Sequence, residues 1–142
     1  MAANPDVIRK DWWEGTDPGA TMARLAGADR TLIQIAQIVR WDLKVIDKTV
    51  TPNAVVLTMG SVGIVGIDFF NTLQYSDGWW RHNNKGYNFR HYVKLSAFTT
   101  PPQGDHMHWL EYSVTTTDRD ATPAGWGVIR FRREGLARAN QT

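Results

Sequence analysis

Two histidines separated by one residue are the strongest sign of chemistry in this sequence. His106 and His108 lie in a segment that alternates like a β-strand, so both side chains point to one face and can ligate a metal ion. Glu111 faces the other way, so a third ligand has to come from His82, His91 or a distant carboxylate. With two ligands in view we predict no metal site, and the alternative is a pair of ordinary strand histidines.

A second group of residues has the composition of a sugar-binding site. Adjacent Trp79 and Trp80 in a strand point to opposite faces, so one ring belongs to the core and the other is left at the surface. An aromatic ring can stack on the apolar face of a sugar. Asp77, His82 and Asn83 can hydrogen-bond to its hydroxyls. The alternative is that the outward ring covers another part of the protein or a partner.

Tryptophan is in excess, with seven residues in a chain of 142. Trp126 lies between Gly125 and Gly127, which leave the face of its ring open. We therefore predict that Trp126 belongs to the ligand-binding residues together with the pair described above.

No motif predicts covalent catalysis or a bound cofactor. The chain has no cysteine, which excludes disulfides, thiolate metal sites and cysteine nucleophiles. It contains no Ser-His-Asp order, phosphate-binding glycine loop or dinucleotide fingerprint, so no cofactor is expected. The enzymatic alternative is a small β-barrel that cyclises or isomerises its substrate in an apolar pocket.

The elements that position these residues are predicted to be mainly strands. Beyond Val50 the sequence predicts strands over 54–59, 62–70, 87–95, 106–114 and 126–132. A turn about every ten residues is typical of a β-sandwich or barrel.

The first 43 residues show a different pattern. Asp17-Pro18 predicts the start of a short helix that ends at Gly27, and Asp29 can cap a second helix. One face of this second helix carries apolar residues at helical spacing: Leu32, Ile35, Val39 and Leu43. The same region also alternates with strand period, so we predict a helix to about Trp41 and a strand from about Lys44.

The amphipathic helix has to bury its apolar face, and a two-fold partner is an economical solution. We therefore predict a homodimer with Leu32, Ile35, Val39 and Leu43 at its interface; packing of the helix on its own sandwich is the alternative. Residues 1–28 are predicted to be an N-terminal extension, and residues 29–142 a single domain of helix and β-sandwich.

Charge and hydropathy exclude several classes of partner. Sixteen basic and fourteen acidic side chains give a formal charge of +2 and are mixed along the chain, so no nucleic-acid partner is predicted. The apolar run 62–67 is too short to span a membrane. The N-terminus lacks the pattern of a signal peptide, so we expect a protein that is cytoplasmic or secreted without a recognisable signal.

Three segments resemble the fungal immunomodulatory proteins, a family of small lectin-like proteins without cysteine. Trp41–Lys44 followed by Thr51–Asn53 is similar to that family's Trp-Asp-Val-Lys and Thr-Pro-Asn. Lys85–Arg90 resembles its Lys-x-Tyr-x-Tyr-Arg strand, and Trp109–Tyr112 resembles its Phe-Leu-Glu-Tyr. The order of the segments agrees along residues 31–132.

This resemblance implies an immunoglobulin- or fibronectin III-like sandwich behind an N-terminal helix. It also implies a homodimer that binds glycans or cell-surface glycoproteins. A weaker resemblance to fungal fruit-body lectins rests on Leu57–Gly63 and Asn88–Tyr92 and points to the same class of function.

Overall fold

A computed structural model describes the chain over 7–26, 32–60, 67–74, 86–98, 100–116 and 127–139. These residues form nine strands: β1 Val7–Arg9, β2 Trp12–Trp13, β3 Gly19–Ala23, β4 Ile38–Asp47, β5 Ala54–Gly60, β6 Ile67–Gln74, β7 Tyr87–Val93, β8 His106–Thr116 and β9 Gly127–Arg138. Two 3-10 helices accompany them, Ile35–Gln37 and Leu95–Ala97. The prediction of a mainly β protein is confirmed. Within the described residues, no helix is long and apolar enough to cross a membrane.

The strands form two sheets. The larger sheet has the order β1-β9-β8-β4-β5, with β2 following β1 along β9; the smaller sheet has the order β3-β7-β6. β1 and β2 run parallel to β9, and the other neighbouring strands are antiparallel.

Aromatic side chains join the two sheets. Phe89 of β7 lies 5.3 Å from Tyr112 of β8 and 5.0 Å from Phe131 of β9, measured between ring centroids. Both contacts are edge-to-face. This arrangement stabilises an aromatic pair because the positive edge of one ring meets the negative face of the other. The hydrophobic core therefore lies between the inner faces of the two sheets.

The predicted N-terminal helix is wrong. Instead of a helix reaching Trp41, a single 3-10 turn is followed by β4, which begins at Ile38. β4 pairs with β5 on one side and β8 on the other, so two neighbours satisfy its backbone hydrogen bonds. Leu43 and Val45 face the core while Lys44 is exposed, so the strand period decided the structure of this segment.

The short helix predicted after Asp17 is also wrong. Residues Gly19–Ala23 form β3, which pairs with β7. Asp17 does not cap a helix there; one carboxylate oxygen accepts a hydrogen bond from the backbone N–H of Leu95 at 2.8 Å. Gly19 has a φ of 82°, a conformation that glycine adopts without a steric penalty, and it starts the strand at this bend.

The predicted interface residues do not share one exposed face. Leu43 is 0% exposed and belongs to the core, whereas Ile35 and Val39 are exposed. Leu32 forms an isolated bridge with Ala26 and is half-buried. The helical surface expected to form the dimer contact is therefore absent from the described residues, and dimerisation itself stays a prediction.

Candidate ligand-binding cavity beside β7

A cavity of about 370 Å³ lies where β7 ends and the second 3-10 helix begins. Its lining residues come from β5, from β7 and from the turn that follows: Met59, His91, Tyr92, Val93, Lys94, Ser96 and Ala97. The Asp17 carboxylate bonds to Leu95 and so fixes the start of the 3-10 helix against the loop before β3. Long-range contacts therefore hold the cavity wall in place.

His91 is the buried titratable group of this cavity. Its side chain points to the inner face of the smaller sheet and is 3% exposed. Its Nδ1 lies 2.8 Å from the hydroxyl oxygen of Tyr112 on the facing sheet. Burial raises the pKa of Tyr112, so the phenol keeps its proton and can donate it in this hydrogen bond.

A buried arginine lies near this pair. The Nη1 group of Arg133 donates to Thr21 Oγ1 at 3.2 Å. The positive charge of Arg133 opposes the rise in the pKa of the Tyr112 phenol that burial causes.

Arg133 is 0% exposed and is held by backbone acceptors. Beyond Thr21, it donates to the carbonyl oxygens of Gly19 at 3.1 Å, Lys10 at 3.2 Å and Pro18 at 2.5 Å. Burial lowers the pKa of Arg133 to about 10, so the side chain stays charged at neutral pH. This cation joins β9 to the segment before and within β3.

The cavity combines an aromatic ring, apolar walls and hydrogen-bond donors. Tyr92 is 39% exposed and offers a ring face, and Met59 and Val93 supply apolar surface. Lys94 and Ser96 are exposed at the cavity, where they contribute an ammonium group and a hydroxyl group. Such a site can hold a small ligand that has both an apolar face and polar substituents.

The residues predicted from the sequence as a sugar site lie outside the described residues: Asp77, Trp79, Trp80, His82, Asn83 and Trp126. Their role in binding stays a prediction.

The paired histidines of β8 have other partners. His106 Nδ1 lies 2.6 Å from an Asp47 carboxylate oxygen, and His108 Nδ1 lies 3.0 Å from the carbonyl oxygen of His106. His108 is 1% exposed, and its ring centroid lies 5.5 Å from that of Trp12. Across the described segments, no cluster of three or more His, Cys, Asp or Glu side chains could hold a metal ion.

From the sequence, His91 was named only as a candidate third metal ligand, and its contact with Tyr112 was not predicted. A usable signal was present, since the strand alternation of 87–95 places His91 on the same face as Phe89 and Val93. A histidine among core residues needs a hydrogen-bond partner. The pairing across two sheets, however, depends on the fold.

No family model matches this sequence, and neither a curated protein nor a solved structure is significantly similar to it. What the chain can bind is therefore inferred from its own residues.

Proposed function

We propose that this protein is a lectin-like carbohydrate-binding protein that acts by recognition, and that the cavity beside β7 is its binding site. The observation that carries the proposal is an exposed aromatic ring, Tyr92, beside polar side chains at a preformed cavity. An aromatic ring stacks on the C–H face of a sugar, and neighbouring polar groups bond to its hydroxyls.

The size of the cavity supports a small ligand. Pockets for small molecules usually enclose about 300–1,000 Å³, and this cavity of about 370 Å³ lies near the lower end of that range. A short saccharide is therefore a better fit than a large lipid or a folded partner.

The proposal also covers the type of β-sandwich and the oligomeric state. Two facing sheets are compatible with an immunoglobulin- or fibronectin III-like sandwich. The resemblance to fungal immunomodulatory proteins supports a homodimer that binds cell-surface glycans. The mass of the purified protein in solution tests the dimer.

A glycan array with the purified protein tests the binding proposal. Tyr92→Ala should abolish the selective binding and leave the melting temperature within about 2 °C of the parent protein, because the ring is partly exposed. Trp13→Ala is the matched control, since Trp13 is 51% exposed and does not line the cavity. No selective binding by the folded protein, or equal loss in both variants, contradicts the proposal.

A second candidate is the cofactor-free isomerase or cyclase. The observation that favours it is the hydrogen bond between His91 and Tyr112 beside a cavity, because such a pair can move a proton during a reaction. Turnover of a small apolar substrate that is lost in His91→Gln, by a protein that binds no glycan, would replace the lectin proposal.

A further inference from the structure

We infer that the ligand of this cavity is a glycoside with an aromatic aglycone, whose aromatic ring lies on an apolar floor while its sugar binds to a polar rim. This inference rests on the proposed function and narrows its ligand class. It follows from how burial and chemistry are distributed among the residues that line the cavity: Met59, His91, Tyr92, Val93, Lys94, Ser96 and Ala97.

The floor of the cavity is apolar and continues into the hydrophobic core. Val93 is buried and belongs to the core cluster, and the half-buried Met59 and Ala97 pack against that cluster. His91 is buried beside them and bonds to Tyr112, and the proposed ligand needs no hydrogen bond from it. Sugar hydroxyls placed on this floor would lose hydrogen bonds to water, whereas an apolar group gains free energy by leaving water. The floor therefore fits an apolar part of the ligand.

The rim of the cavity is polar and consists of exposed side chains. Within the described parts of the chain, the side chains of Tyr92, Lys94 and Ser96 have no hydrogen-bond or ion-pair partner. The phenol and the serine hydroxyl can each donate and accept, and the ammonium group donates. Sugar hydroxyls also donate and accept, so this rim can satisfy them in both directions. The sugar part of the ligand therefore belongs at the rim, where the Tyr92 ring can stack on it.

Met59 favours an aromatic ring over a flexible alkyl chain as the apolar group. A methionine thioether makes favourable contacts with aromatic rings, and its unbranched side chain adapts to their shape. A ring also has few rotatable bonds, so less conformational freedom is lost on binding than with a flexible chain. The inferred ligand therefore combines a sugar with a rigid aromatic aglycone.

The test compares ligands that lack either the aromatic ring or the sugar. Phenyl β-glucoside, methyl β-glucoside and phenol are titrated separately into the purified protein by calorimetry. We expect phenyl β-glucoside to bind at least about tenfold more tightly than either of the others, because burial of an aromatic ring contributes roughly tenfold to hundredfold in affinity and the rim adds hydrogen bonds to the sugar. Equal binding of the two glucosides overturns the inference and leaves the lectin proposal intact.

Two other outcomes also overturn the inference. If phenol binds as tightly as phenyl β-glucoside, the aromatic ring alone accounts for the affinity and the cavity does not recognise a glycoside. If none of the three binds, the cavity does not take an aryl glucoside, and the glycan array decides separately whether the lectin proposal stands.

Variants of Met59 test whether the aromatic ring lies on the floor. Met59→Gln keeps the length of the side chain but makes it polar, so the preference for phenyl over methyl β-glucoside should fall about tenfold. Met59→Leu should keep most of this preference, because leucine has a similar volume and is apolar. Val55→Thr is the matched control, since Val55 is exposed on the same strand and is not among the described lining residues. An unchanged preference in Met59→Gln, or an equal loss in Val55→Thr, overturns the inference.

A measurement on the parent protein needs no variant. The phenyl protons of bound phenyl β-glucoside should give nuclear Overhauser effects to the methyl groups of Met59, Val93 and Ala97. Saturable binding without such effects would place the aromatic ring elsewhere and overturn the inference.

Discussion

His91 and His108 are both buried, yet their surroundings differ. His91 lies beside a cavity and bonds to the hydroxyl group of Tyr112. His108 lies against the Trp12 ring and bonds to the carbonyl oxygen of its strand neighbour His106. Burial alone therefore does not distinguish the two histidines, whereas the cavity beside His91 and its hydroxyl partner do.

The tight packing around His108 depends on a glycine at position 135. Gly135 pairs with His108 across β8 and β9, and a Cβ atom added to Gly135 would lie 2.6 Å from Trp12 Cζ3. The absence of a side chain at this position lets Trp12 approach the sheet. At the cavity, small residues follow β7 instead, Ser96 and Ala97, and no large ring lies among the described lining residues except Tyr92.

The largest loss of stability is expected from a substitution of the buried Arg133. Arg133→Met should lower the free energy of unfolding by about 3–5 kcal/mol, because three carbonyl oxygens and Thr21 lose their buried donor. Denaturant unfolding measures this change. Arg130→Met is the control, since Arg130 is exposed on the same strand. A loss below about 1 kcal/mol would show that the Arg133 network is unimportant for stability.

The next largest loss of stability is expected from a substitution of Gly135, which pairs with His108. Gly135→Ala forces Trp12 and the backbone at Lys10 to move, so we expect a loss of about 2 kcal/mol, as for other overpacked sites. Gly60→Ala is the control, because its nearest contacts are the flexible side-chain ends of Asp42 and Arg40. Equal thermal stability of the two variants would contradict the tight packing described for Trp12.

A smaller effect is expected from the hydroxyl that distinguishes His91. Tyr112→Phe keeps the ring stacked on Phe131 but removes the partner of His91 Nδ1, at a cost of about 1–2 kcal/mol. Nitrogen chemical shifts of the His91 ring should change, because its Nδ1 atom loses this hydrogen bond. Unchanged shifts would contradict the hydrogen bond between Tyr112 and His91.

The smallest effect is the pH dependence contributed by His108. Burial lowers its pKa, opposed by the carboxylate of Asp47, so the unfolded chain binds a proton more readily than the folded chain. Stability should therefore fall as the pH drops below the ordinary histidine value of about 6.5. Melting temperatures between pH 7.5 and pH 5 should fall less in His108→Gln than in the parent protein; an identical fall contradicts the assignment.

The alternation of apolar and polar residues was the most reliable basis for predicting strands from the sequence. It predicted the positions of β5, β7 and β8 to within a few residues, because each has a clear apolar face. The helix prediction failed at Leu32–Leu43, where the apolar residues fit both a helix and a strand. The strand period was the correct one there, because β4 pairs with two neighbouring strands. A side-chain hydrogen bond between two sheets, such as that between His91 and Tyr112, cannot be recognised from the residues next to either partner in the sequence.

The candidate site shows the same limit. The spacing of His106 and His108 was visible in the sequence, but their actual partners, Asp47 and Trp12, come from other strands. The cavity depends on where the turn after β7 meets β5, which residue types do not encode locally.

The most direct test of the central claim is a ligand titration followed by the backbone amide signals in NMR spectra. The best saccharide from the glycan array is added to the labelled protein. We predict that the largest shifts fall at Tyr92–Ala97, with little change at His106–His108. Saturable shifts that fall at His106–His108, or that leave Tyr92–Ala97 unchanged, would contradict the assignment of the cavity as the binding site.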